Sequence, residues 1–246
     1  WKNVYANPDP KGDLLVKGLD SKGRTQMRYS DSHNSQAAAA KFGRVSELRE
    51  KRVEIFKEIE KDIKNPDLKE NAECLKVIMQ TGIRPGSTKD TKAAFESFGA
   101  TTLQGRHVIT NKDGSTSLKF SPGKHQGRKV EFPISDKTTA KMLQSRASAS
   151  GESGVLFDTD AQSLRDYSKS KDGGGFKTKD YRTALGTEIA ITAIKEIDKP
   201  STMKAYKSAV KEVATKVAAT LGNTPSIALK SYIDPSVFSH WKPKEK

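Results

Sequence analysis

The chain has 246 residues, 34% hydrophobic and 30% charged, and its 44 basic against 30 acidic side chains give a formal charge of +14. That length suits one substantial core, alone or with a smaller domain attached. No apolar run approaches the roughly 18 residues of a membrane span, and neither length nor composition suggests a membrane or fibrous protein. Surplus Lys and Arg favour a polyanionic partner, because they neutralise phosphates and release condensed counterions. Charge alone does not separate a DNA enzyme from a ribosomal protein or a passive binder. The single cysteine, Cys74, excludes an intramolecular disulfide and a four-cysteine zinc site. It shares a helical period with Ala72, Leu75, Ile78 and Met79 and reads as a small core residue. No secretion signal is visible, which favours an intracellular protein, cytoplasmic or associated with a nucleoid.

The first forty residues differ from the rest. Val4-Tyr5, Leu14-Leu15-Val16 and Met27-Arg28-Tyr29 are short strand candidates, separated by turn-forming Asn7-Pro8-Asp9-Pro10 and Asp20-Ser21-Lys22-Gly23. So small and polar a segment has little core of its own and reads as a lobe of something larger. From Val45 the period changes. Leu48, Ile55, Ile59 and Ile63 recur at helical spacing amid Lys and Glu, which predicts an amphipathic helix. Asn71 to Gln80 predicts another, ending before Gly82.

A strand-rich insertion follows. His107 to Thr110, the turn Asn111-Lys112-Asp113-Gly114, Ser117 to Phe120, a Pro-Gly-Lys turn and Arg128 to Phe132 predict a three-stranded antiparallel meander. Helices resume over Lys137 to Arg146, Ser163 to Ser168, Thr187 to Lys195 and Thr202 to Leu221. In the last, Val210, Val213, Val217 and Leu221 form an apolar stripe that is ordinary core packing. Ala147 to Gly154 and Ser168 to Gly175 read as loops. The resulting class is α+β and mainly helical, with residues 1–40 as a partial β-rich domain and 41–246 as the main one.

No metal-ligand cluster stands out. His33, His107, His125 and His240 are dispersed, and no HExxH, Walker loop or dinucleotide fingerprint occurs. Cutting a phosphodiester without metal requires an in-line nucleophile, cationic donors for the equatorial oxygens and an acid for the leaving oxygen. Tyrosine, two arginines and a lysine supply these in chemical principle. Each is common here, so residue types alone do not decide the chemistry.

Their order does. Lys179-Asp180-Tyr181-Arg182-Thr183 with Gly186-Thr187, and Leu221-Gly222-Asn223-Thr224-Pro225 through Lys230-Ser231-Tyr232-Ile233-Asp234-Pro235, resemble two signatures of the poxvirus and bacterial type IB topoisomerases. Thr81-Gly82-Ile83-Arg84 resembles the motif that delivers the family's first catalytic arginine. Phe98-Gly99, Thr101-Thr102-Leu103 and Arg106-His107-Val108 resemble the entry to its small sheet, and Phe120 to Gly127 its lysine-bearing hairpin. Asn7 to Gly12 and Gly23-Arg24 through Arg28-Tyr29 resemble the end of its amino-terminal DNA-clamp domain. The resemblance covers nearly the whole chain in the expected order. It implies the helical catalytic domain that topoisomerases IB share with tyrosine recombinases, and a bacterial, phage or viral source is compatible with it.

On that resemblance Arg84 and Arg182 match the arginines that hold the scissile phosphate, and Lys124 the acid that protonates the departing 5′ oxygen. Lys179 completes the family's Lys-x-x-Arg pair, one helical turn from Arg182. Tyr232 matches the nucleophile that forms a 3′-phosphotyrosyl bond. Asn223 stands where poxvirus enzymes have histidine; its amide donates a hydrogen bond but carries no charge, and the bacterial branch shares this form. Pro85 follows Arg84 where a smaller aliphatic residue is usual, and Ser87 replaces a frequent asparagine. A proline there suits the first turn of a helix or changes how Arg84 is presented. The implied partner is double-stranded DNA bound by a monomer, with no membrane, no metal and no ATP.

Lys112, Lys119, Arg128 and Lys129, in or beside the small sheet, are further DNA-binding candidates, against the plainer reading of a solvated strand face. Lys242, Lys244 and Lys246 form a charged tail. Two alternatives stay open. One is a tyrosine recombinase, whose usual His-x-x-Arg box would put histidine where Lys179 stands. The other is a noncatalytic DNA-binding relic.

Overall fold

A computed structural model of the chain describes residues 1–94, 96–122, 129–173 and 175–243. The contacts divide it into two compact units, Trp1–Ser46 and Glu47–Lys246. In the first, β1 (Lys2–Ala6), β2 (Leu14–Leu19) and β3 (Thr25–Tyr29) form an antiparallel sheet in that order. Both connections are Asx-type turns: the Asn7 side chain accepts from the Asp9 N–H, and the Asp20 carboxylate accepts from the Lys22 and Arg24 N–H groups. Trp1, Val4, Tyr5 and Met27 remain exposed.

Helix α1 (Asp31–Glu50) runs from the first unit into the second. Its first turns were not foreseen, because Ala37 to Ala40 set among polar residues leave no apolar stripe to read. The run expected as one amphipathic helix from Val45 is two helices, since Lys51 breaks the path before α2 (Arg52–Asp62). Leu48, Ile55 and Ile59 are nevertheless buried as their spacing demands.

The second unit is built around α3 (Lys69–Thr81), in which Ala72, Cys74, Leu75, Val77 and Ile78 are sealed from solvent. It ends at Gly82, whose φ of +64° suits glycine and turns the chain out of the helix. The small sheet follows as expected, with β4 (Val108–Thr110), β5 (Thr116–Phe120) and β6 (Val130–Ile134) antiparallel in that order. Its first turn closes at Gly114 with φ +81°. The second expected turn, which includes Lys124, lies outside the described residues.

Four longer helices complete the body: α4 (Lys137–Ser150), α5 (Ala161–Ser170), α6 (Thr178–Lys195) and α7 (Met203–Leu221). Asp136, Asp160 and Thr202 cap α4, α5 and α7 with side-chain oxygens. Three boundaries differ from expectation: α5 is longer than the expected Ser163 to Ser168, and with the 3₁₀ turn Lys171–Gly173 it takes up most of the expected loop Ser168 to Gly175. Helix α4 continues through Ser150 into a predicted loop, and α6 begins at Thr178 rather than Thr187. A short α8 (Pro225–Tyr232), capped by Thr224 with proline in its first turn, was not foreseen at all.

Helices α6, α7 and α8 pack through Ala190, Ala193, Ala209, Ala214, Ala218 and Ala228, small side chains that let the backbones approach closely. Tyr232 belongs to this cluster, with Ile233, Phe238 and Trp241. Elsewhere one cation ties α3 to α4. Arg146 donates to Glu73, to both oxygens of Glu70 at 2.8 and 2.9 Å, and to the Leu156 carbonyl at 2.6 Å. Burial opposes the guanidinium's charge, yet the two glutamates hold its pKa above the ordinary value. Burial likewise opposes charge on Glu70, but bonds from Arg146 and the Asp158 N–H bring it below the usual carboxylate range.

Arg146→Ala leaves Glu73 buried without its cation and should lower the unfolding free energy by about 3–5 kcal/mol in urea titrations at neutral pH. Because the folded pKa of Glu70 is depressed, the wild-type advantage is present above the normal carboxylate pKa and lost as pH falls through the folded value. The gap between the two proteins should therefore narrow in acid.

Candidate active site

Tyr232 lies at the carboxyl end of α8 and is 4% exposed. Its position is fixed from below. A side chain on Gly186 of α6 would come within 2.5 Å of the Tyr232 carbonyl oxygen and 3.2 Å of its Cβ, so only glycine admits α8 this close. The neighbouring Thr187 hydroxyl lies 3.5 Å from that carbonyl and accepts the Asp234 N–H at 3.1 Å.

Two arginines flank the phenol. Arg84 donates to the Tyr232 hydroxyl at 3.4 Å, and the Arg182 guanidinium sits 4.7 Å from the centre of its ring. Arg182 is itself 4% exposed. It donates to the Gly82 carbonyl at the end of α3 and, at 2.6 Å, to the Leu221 carbonyl at the end of α7. These carbonyls are what a helix carboxyl end leaves unsatisfied, and a cation there also meets the negative end of the helix dipole. Its Nε–H, like the Asn223 amide nitrogen just beyond α7, is buried without a hydrogen-bond acceptor among the described residues.

Arg84 does not open a helix, contrary to one reading of Pro85; residues 82–87 have no regular secondary structure. Its main chain is braced instead by the 3₁₀ turn Ala100–Thr102. The Ala100 N–H donates to the Arg84 carbonyl at 2.8 Å, and the Thr101 N–H and hydroxyl both donate to the Pro85 carbonyl, at 2.7 and 2.9 Å. Pro85 lacks a donor, but the brace uses only its acceptor. Gly99 permits the approach, because a Cβ there would stand 2.5 Å from the Arg84 oxygen. The Arg84 side chain remains exposed.

Ile83, Arg84, Pro85, Thr178, Lys179, Arg182 and Tyr232 line one cleft of about 350 Å³. The structure thus brings together four of the residues singled out in the sequence, Arg84, Lys179, Arg182 and Tyr232. Lys119 and Lys129 line a separate cleft beside the small sheet, and Lys112 stands exposed in the β4–β5 turn. Asn223 sits at the α7–α8 junction. Lys124 and Arg128 lie outside the described residues. Gly82, Gly186 and Thr187 were noted only as parts of motifs; their bracing roles, and that of the Leu221 carbonyl, depend on contacts between helices far apart in the chain. Among the described residues no group of three or more His, Cys, Asp and Glu side chains is arranged to hold a metal ion.

Burial alone would raise the Tyr232 phenol. The Arg84 hydrogen bond and the charges of Arg182 and Arg84 outweigh it and bring the pKa below that of an ordinary tyrosine. Burial pushes Arg182 down to about 10, which leaves it charged at neutral pH, and the phenolate it faces would favour that charge. Tyr167 and Tyr181 move the other way, raised first by burial and then by nearby carboxylates.

Residues 30–242 match the family model described as eukaryotic DNA topoisomerase I, catalytic core. The chain belongs to this family. A relative, DNA topoisomerase 1B of Acanthamoeba polyphaga mimivirus, is 25% identical over 252 aligned residues, covering 95% of this chain and 74% of the relative. Membership of the topoisomerase family implies DNA binding, in keeping with the formal charge of +14. No helix among the described residues is long and apolar enough to cross a membrane.

Of the three buried tyrosines with displaced pKa values, Tyr232 should ionise first. In a spectrophotometric titration of phenolate absorbance, Tyr232→Phe should remove a component that titrates below the free-phenol pKa of about 10. A mutant curve that loses only a late-titrating component would contradict the cationic bracket.

Proposed function

We propose that the chain is a type IB DNA topoisomerase that relaxes supercoiled duplex DNA as a monomer, through a transient phosphotyrosyl bond made by Tyr232. The observation that carries this reading is the buried phenol held between two guanidinium groups, with its pKa drawn down. A tyrosine at its ordinary pKa of about 10 is a poor nucleophile at neutral pH. The cations that favour its phenolate also neutralise charge gathering on the equatorial phosphate oxygens during in-line attack.

In cleavage, the Tyr232 Oη–phosphorus bond forms as the bond from phosphorus to the 5′ oxygen breaks. The leaving oxygen takes a proton, a role assigned to Lys124 by its place in the motif. Arg84 and Arg182 hold the phosphate. The Nε–H of Arg182 and the amide nitrogen of Asn223 are buried donors without an acceptor among the described residues, as a site for a nonbridging oxygen would have. Lys179 lines the same cleft one helical turn from Arg182 and supplies a further cation. One strand is then attached to protein while the other stays intact. Torque rotates the free 5′ end about the intact strand, and its hydroxyl expels the tyrosine as the proton returns to Lys124. The phosphotyrosine conserves the bond energy, so resealing needs neither ATP nor a metal.

The parent chain should relax positively and negatively supercoiled plasmid in EDTA without nucleotide, and denaturing gels should show a protein–DNA adduct that Tyr232→Phe abolishes. Arg84→Ala should slow single-turnover cleavage by about 10²–10³-fold, the cost of losing one preorganised charge donor. Relaxation or adduct formation that survives Tyr232→Phe would overturn the assignment. Recombination between two duplexes in place of relaxation would transfer it to the recombinase branch.

A further inference from the structure

A second cleft, about 340 Å³ in volume, opens beside the small sheet and takes no part in the chemistry above. Its lining includes Arg106, His107, Lys119, Ser121 and Lys129, with Glu96 as its acidic member. We infer that this cleft is a second phosphate subsite that grips a DNA backbone phosphodiester away from the one being cut. The inference rests on the topoisomerase reading for the identity of the ligand, but not on the role of Tyr232.

Strand alternation gathers the donors. Lys119 and Ser121 are two residues apart along β5 and its extension, and so share a face. Lys119 pairs in register with Glu131 of β6, which puts Lys129, two residues before Glu131, on that face as well. The Ser121 hydroxyl is buried and has no hydrogen-bond partner among the described residues, an expense a fold accepts where a ligand completes the bond. His107 adds a neutral donor. Its Nδ1 accepts the Gln104 N–H at 3.0 Å, so the ring proton resides on Nε2. Burial, with the charges of Arg106 and Lys129, pushes this imidazole down to about 4, and it stays neutral at working pH.

Glu131 is anchored by the Ser117 hydroxyl, which donates to it at 2.7 Å, so what is loose is the pairing of the opposing carboxylates with the cations. Glu96 lies 3.6 Å from Arg106 and Glu131 lies 3.7 Å from Lys119, in pairs whose side chains are all close to half exposed. Such pairs contribute little and exchange readily for a phosphate oxygen. Arg106 also lies over the Phe98 ring at 5.6 Å, which limits the positions its guanidinium adopts. The Phe98 N–H donates to the Ser121 carbonyl, and two residues on the Ala100 N–H donates to the Arg84 carbonyl. One short segment therefore joins this cleft to the mount of Arg84.

The test is equilibrium binding of a short duplex across a salt series in the Tyr232→Phe background, comparing the parent with Arg106→Ala/Lys129→Ala. Each phosphate contact contributes about −0.9 to the slope of log K against log salt, so the double variant should lower the slope by about that amount or more and bind several-fold more weakly at low salt. Lys207→Ala/Lys211→Ala, an equal loss of charge on the exposed surface of α7, should leave the slope near the parent value. Ser121→Ala should weaken binding without changing the slope. An unchanged slope in the Arg106/Lys129 variant, or an equal drop in the α7 variant, overturns the subsite. A parent that binds no duplex overturns the topoisomerase reading itself, a different outcome. Inorganic phosphate, followed through the His107 ring resonances, separates the sources: saturation at low concentration with no slope change in the duplex series would assign the cleft to a free anion and reject the DNA contact.

Discussion

The placement of one guanidinium organises the second unit. Arg182 reaches from α6 to the ends of α3 and α7 through two main-chain carbonyls and lies against the Tyr232 ring at the end of α8. Four helices thus meet at a single buried charge. Such a charge needs acceptors, and the carbonyls of two helix ends take one bond from each terminal nitrogen of the guanidinium, leaving the Nε–H over. Moving any of the four would leave a cation unsatisfied in the interior, so the contact fixes the mutual positions of the elements that make up the cleft.

The surrounding packing follows from the same constraint. Alanines between α6, α7 and α8 let these helices approach closely, and the bare Gly186 leaves room for the Tyr232 main chain at the end of α8. The left-handed glycines at the ends of α3 and α7 stop those helices beside Arg182. Residues that look unremarkable in composition therefore set the distance between cation and phenol, and with it the direction in which the phenol's acidity moves.

Much of this was legible in the sequence, and what was not has physical reasons. The α+β class, the meander of β4 to β6 and the core positions Leu48, Ile55, Ile59 and Cys74 follow from periodicity, because burial imposes a spacing that composition records. Arg84, Lys179, Arg182 and Tyr232 were identified by motif order, and they line one cleft. Helix α8 escaped notice because two turns are too short to show a period, and its stability comes from packing rather than propensity. The first half of α1 escaped because nothing in it alternates between apolar and polar. The bracing of Arg84 by Ala100 and Thr101 leaves little sequence signal, since it runs mainly through main-chain groups that every residue possesses, with the Thr101 hydroxyl and the bare Gly99 as its residue-specific parts.

Main-chain bracing at Arg84 has a further consequence for how tightly a flexible ligand is held. With its carbonyl tied down and the following proline's φ fixed, the backbone there has little freedom left to lose. Only the side-chain torsions remain to be frozen when the guanidinium is engaged, at most about 2 kcal/mol for an arginine, whereas an unanchored loop would add about 1–2 kcal/mol for each residue it had to order. The arginine behaves as a swivel on a rigid post: its guanidinium is free to turn while the post stays in register with the phenol.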